Sequence, residues 1–75
     1  MSVLPRLSGQ EVVRALVRAG YERDRQKGSH IVLRQSTTPY RRLVVPDHRE
    51  IAKGTLRAII KQAGLTVEEF IGFVR

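Results

Sequence analysis

Tyr21-Glu22-Arg23-Asp24-Arg25-Gln26-Lys27-Gly28-Ser29-His30-Ile31-Val32-Leu33-Arg34-Gln35 contains two strands and the turn that joins them. Tyr21 to Gln26 alternates but is mostly charged, with Tyr21, Arg23 and Arg25 on one parity and Glu22 and Asp24 on the other. Charges of this density mark an edge strand that resists further pairing. Lys27-Gly28 makes the turn, glycine supplying a backbone conformation that other residues avoid. Ser29 to Gln35 is the second strand, with Ile31 and Leu33 on one face and His30, Val32 and Arg34 on the other.

Downstream, Ser36-Thr37-Thr38-Pro39 is a loop, and Tyr40 to Val45 reads as a third strand ended by Pro46. Its Leu43-Val44-Val45 run suits an inner position or a face that a partner covers. Upstream, Met1 to Leu7 is a lead-in in which Pro5 discourages helix. Ser8-Gly9-Gln10-Glu11 then has the spacing of a capping box, with Leu7 and Val12 at the staple positions. The helix that follows places Val12, Val13, Leu16 and Val17 on one face, and Gly20 closes it. A second helix opens at Lys53-Gly54-Thr55, carries Leu56, Ile59, Ile60 and Ala63 as a core stripe, and closes at Gly64. Thr66-Val67-Glu68-Glu69 repeats the capping box ahead of a short last helix that buries part of Phe70, Ile71, Phe73 and Val74.

The order helix, three antiparallel strands, helix, short helix is α+β. It fits one domain spanning residues 1–75, with the helices on one face of the sheet. The opposite face, which carries His30 by parity, is then left to solvent or a ligand.

Composition narrows the partners. Fourteen Lys and Arg against seven Asp and Glu leave a charge of +7, a field that favours a polyanion and salt-sensitive association. An acidic protein satisfies the same field. The absence of cysteine excludes disulfides and thiolate metal sites and fits a reducing cytoplasm. No apolar run reaches the length of a membrane span or a signal-peptide core, so a cytoplasmic protein with no membrane partner is expected.

His30 is the candidate catalytic residue. Imidazole titrates near neutral pH and serves as general base or acid, and RNA supplies its own nucleophile in the 2′-hydroxyl. Such chemistry requires neither metal nor protein nucleophile. Lys27, Arg34, Lys53 and Arg57 are candidate phosphate contacts, Lys53 standing at a helix N-terminus whose free N–H groups favour anions. Gly28 allows a phosphate to approach the backbone, and Ser29 reads as a turn-bonding residue beside the same ligand. His48, in Pro46-Asp47-His48, is a phosphate contact, a second proton-transfer group, or a loop histidine bonded to backbone. The two histidines and Asp47 lack a recognised ligand spacing, so no metal or other cofactor is expected. No aromatic platform for base stacking is evident.

These residues resemble the HicA toxin family of type II toxin–antitoxin systems. The likeness is carried by Ser8-Gly9-Gln10-Glu11, Arg25-Gln26-Lys27-Gly28-Ser29-His30, Val45-Pro46-Asp47-His48, and Lys53-Gly54-Thr55-Leu56 through Ile59 to Ala63-Gly64-Leu65. The resemblance implies an α-β-β-β-α fold like that of double-stranded-RNA-binding domains. It also implies a ribosome-independent mRNA interferase in which His30 is catalytic, and a HicB-type antitoxin covering the His30 face. Where members often carry an aromatic residue a few positions after the histidine, this chain has Val32 and Leu33. In-line attack by a 2′-hydroxyl needs a flexible backbone, which favours single-stranded mRNA as substrate. Two other readings share the charge and fold: a non-catalytic RNA-binding module, and an adaptor that docks an acidic protein.

Overall fold

The structure, a computed structural model, describes residues 3–75. Met1 and Ser2, where the expected lead-in begins, lie outside the described residues. The elements run α1 (Gly9–Arg18), β1 (Tyr21–Lys27), β2 (His30–Gln35), β3 (Arg42–Pro46), α2 (Lys53–Gln62) and α3 (Val67–Val74). The strands form one antiparallel sheet in the order β1-β2-β3. This is the α+β arrangement, like that of double-stranded-RNA-binding domains, that the sequence implies. No described helix is long and apolar enough to cross a membrane.

One core holds the layers together. Ile31 and Leu33 of β2 and Leu43 and Val45 of β3 point from one sheet face into the packed side chains of the helices, among them Leu16, Leu56, Ile60 and Phe70. Full burial of side chains of this size is worth about 1.5–3 kcal/mol each. The opposite sheet face carries His30, Arg34 and Arg42, all exposed, with Val32 half-buried between them.

Local signals set the helix starts. Both capping boxes form: Ser8 accepts from the Glu11 N–H at 3.1 Å while Glu11 accepts from the Ser8 N–H at 2.9 Å, and Thr66 pairs with Glu69 in the same way. The bonds to Ser8 hold the Glu11 carboxyl below its ordinary range. At the other end of α3, the Arg18 guanidinium donates to the Phe73 carbonyl at 2.9 Å, satisfying an acceptor that a helix C-terminus leaves open. The core stripe expected on α2 is buried as read.

Four expectations are corrected. On α1 it is Ala15, not Val17, that joins Val12, Val13 and Leu16 in the core; Val17 is 47% exposed. Successive residues turn by about 100° around a helix, which carries Val17 past the edge of the stripe and brings Ala15 onto its other side. The third strand starts at Arg42 rather than Tyr40, because Tyr40 sits at φ +58, outside the extended region. That strand is an edge strand, which removes the inner position expected for its apolar run and leaves the other alternative, a face for a partner to cover; the run is split between the core face (Leu43, Val45) and the open face (Val44). Ser29 lies in the β1–β2 turn, not in the strand.

Close approach at the start of α1 requires Gly9. A Cβ there would collide with the Pro46 carbonyl oxygen, and the Gly9 N–H donates to the His48 carbonyl at 2.9 Å. Gly72 of α3 has open space around it. Gly9→Ala is therefore expected to lower unfolding free energy by about 1–3 kcal/mol, whereas Gly72→Ala raises it by about 0.5–1 kcal/mol. Urea melts of the two variants check the opposite signs.

Tyr21 is the buried end of β1, and its hydroxyl donates to the Ala63 carbonyl at 3.1 Å. Burial raises its pKa above the ordinary 10.0. Ionisation is thus disfavoured in the folded state, and the stability it contributes is complete below pH 10 and lost as pH climbs through the raised value. Tyr21→Phe is expected to cost about 1 kcal/mol at neutral pH and to flatten the fall in stability above pH 10, as read by denaturant midpoints across that range.

Candidate functional site

The His30 face is organised in rows set by strand register. Residues opposite one another on neighbouring strands share a face. Lys27, His30 and Pro46 form the first row; Arg25, Val32 and Val44 the second; Glu22, Arg34 and Arg42 the third. Lys27 thereby stands beside His30 on the open face.

That placement depends on a bulge in β1. Arg23 opposes Leu33 and Arg25 opposes Val32, so Asp24 is an extra residue on β1. Strict alternation from buried Tyr21 would send Arg23, Arg25 and Lys27 all to the helix side. The bulge resets the phase after Arg23, and Arg25 and Lys27 turn to the open face while Arg23 stays with Leu33 on the core side. The parity expected for Arg25 is corrected accordingly.

Charges on this face are unevenly paired. Arg34 Nε lies 3.8 Å from Glu22 Oε1, and Arg42 Nη1 lies 3.6 Å from Asp24 Oδ2, the second pair reaching over β2 from one edge strand to the other. Among the described residues Arg25 and Lys27 have no ion-pair partner. Within this face the two unpaired cations thus stand beside and just behind His30, and Arg34, read as a phosphate contact, sits two rows away with its charge shared.

A ring of side chains fixes the turn before His30. Gly28 has φ +58 and is the first of two residues linking Lys27 to His30, the position that a type II′ hairpin gives to glycine. The Asp47 N–H donates to the Ser29 carbonyl at 2.7 Å. Gln26 Nε2 donates to the Gly28 carbonyl at 3.1 Å and to Asp47 Oδ2 at 3.0 Å. Gln10 Nε2 donates to Asp47 Oδ1 at 3.1 Å, and Arg23 closes the ring through Gln26 Oε1 at 2.8 Å and Gln10 Oε1 at 3.4 Å. The turn is thereby tied to α1 and to the segment after β3, and the strand start at His30 is held from both sides.

The remaining expected site residues stand apart. His48 is exposed, and its carbonyl rather than its ring makes the contact with Gly9. Lys53 and Arg57 are exposed on α2, off the sheet rows; no side chain caps the start of that helix. Among the described residues no group of three His, Cys, Asp or Glu side chains gathers at one point. Sequence reasoning missed Arg25, whose face is set by the bulge, and Gln10, Arg23, Gln26 and Asp47 as tethers. The Pro46-Asp47-His48 motif drew attention to its histidine, whereas its aspartate makes the bonds.

Asp47→Ala removes the carboxylate that accepts from both Gln10 and Gln26. It is expected to cost about 1–2 kcal/mol in stability and to speed amide exchange at Gly28, Ser29 and His30 more than in the centre of β2, as hydrogen-exchange NMR would read.

Compared with known proteins, the chain matches the family model described as the HicA toxin of bacterial toxin-antitoxin over residues 9–65. No curated protein matches it.

Proposed function

The chain belongs to the HicA toxin family, which implies an antitoxin partner, and from that premise we propose that it is an mRNA interferase that cleaves single-stranded RNA with His30 as its proton-transfer group. The observation that carries the reading is an exposed imidazole in one cross-strand row with Lys27, at the end of a turn bonded by Gln26 and the Asp47 N–H, which Gln10 and Arg23 brace.

The chemistry follows from those positions. The neutral imidazole takes the proton of a 2′-hydroxyl as that oxygen attacks the adjacent phosphorus. The bond to the 5′-oxygen breaks, and the leaving oxygen takes a proton from the imidazolium or from solvent. Products are a 2′,3′-cyclic phosphate and a 5′-hydroxyl. Lys27 offsets charge on the non-bridging oxygens, and Gly28 leaves the backbone open to them. Lys53 and Arg57, on α2, together with Arg34 and His48, contact the RNA beyond the scissile bond. The antitoxin, of HicB type, covers the His30 face.

His30→Ala is expected to lower cleavage by about 10²–10⁴-fold while shifting stability by less than about 0.5 kcal/mol, since the ring is exposed and makes no hydrogen bond among the described residues. Cleavage of mRNA by the parent should persist in EDTA. Products with 5′-phosphate ends, or equal cleavage by His30→Ala, would contradict the mechanism. RNA bound but left intact by the parent would favour the non-catalytic module.

A further inference from the structure

We propose that the second row of the open face is a nucleobase subsite, a two-valine shelf between arginines that takes the unpaired base next to the bond held at His30. The proposal rests on the cleavage reading above and deepens it. A depression of ≈ 590 Å³ adjoins this row, lined by Arg25, Val32, Arg42, Leu43 and Val44 and by Gln62 of α2. Val44 is 47% exposed on the β3 edge strand, so among the described residues its apolar surface is left open to water beside Val32.

Three features favour a planar base as the occupant. Apolar surface here is narrow, two valine side chains wide, and is bordered by guanidinium groups. Bases in RNA complexes stack on arginine planes as well as on aromatic rings, so a site without aromatics can still hold one. Arg25 has no ion-pair partner among the described residues and stands in this row only because of the Asp24 bulge. Finally, Val32 lies two residues beyond His30 on the same face of β2, about 7 Å along the strand, which is the reach of one extended nucleotide. A base on the shelf and a phosphate at His30 and Lys27 then belong to one continuous strand. Gln62, with both a donor and an acceptor, can meet the edge of that base. The Asp24–Arg42 pair closes the far end of the shelf by bridging over β2.

The test is a cycle between protein and RNA. The full-length chain is titrated with a short single-stranded RNA carrying one mapped cleavage site, made uncleavable by a 2′-deoxy sugar there, and with versions lacking the base on either side of that site. Arg25→Ala, Val44→Asp and the milder Val44→Ser are compared with the parent, and Lys61→Ala controls for loss of one distant charge. The parent is expected to bind one of the abasic RNAs about tenfold more weakly. Arg25→Ala and Val44→Asp should bind the intact RNA weaker by a similar factor, Val44→Ser by less, and neither Arg25→Ala nor Val44→Asp should lose further affinity for that abasic RNA. Effects of variant and missing base that multiply independently overturn the shelf. So does a Val44→Asp variant that binds RNA normally and loses only the antitoxin. In both cases, cleavage by the parent and its loss in His30→Ala leave the wider reading standing. A parent that binds no RNA overturns both.

Discussion

The extra residue at Asp24 is the constraint on which the open face depends. Tyr21 must point inward, because its ring is buried and its hydroxyl is bonded to Ala63. Lys27 must close the hairpin opposite His30. Both conditions can hold with Lys27 on the His30 face only if β1 gains one residue between them. A bulge supplies it, at the cost of a locally unpaired backbone and stronger twist, which an edge strand tolerates. The same residue gives the Asp24 carboxylate to Arg42 across the sheet. The basic face is therefore a consequence of strand phase as well as of composition.

Around that phase the fold makes the histidine turn rigid by polar bonds rather than by burial. The turn is exposed, so apolar packing does not hold it. Four side chains from α1, β1 and the segment after β3 hold it instead, and Gly9 lets α1 come close enough for Gln10 to take part. Gln26 and the Asp47 N–H bond the two turn carbonyls, those of Gly28 and Ser29, and Gln10 of α1 braces them through the Asp47 carboxylate. The exposed histidine is in this way carried on a firm base.

Sequence reading recovered the parts governed by local chemistry. Both capping boxes, the α2 stripe and the hairpin glycine are set by residues within a few positions of one another, and all are present. Ile31 and Leu33 announce the phase of β2, and with it the position of His30 on the open face. The phase of β1 was not legible: Glu22-Arg23-Asp24-Arg25-Gln26-Lys27 contains no apolar residue to report which side faces the core. Val44 was hidden for the opposite reason, an apolar residue flanked by apolar neighbours in a strand that has a solvent face. The Asp47 ring joins positions 37 and 21 residues apart, which only the fold brings together.

The proposed chemistry requires RNA to lie across the sheet face opposite the helices. Titrating a 2′-deoxy-blocked, single-stranded RNA into the ¹⁵N-labelled chain and following backbone and imidazole resonances tests it most directly. The largest shifts are expected on Lys27, His30, Val32 and Val44, with α1 and α3 nearly silent. Shifts concentrated on the outer surfaces of the helices, with the His30 ring unmoved, would contradict it.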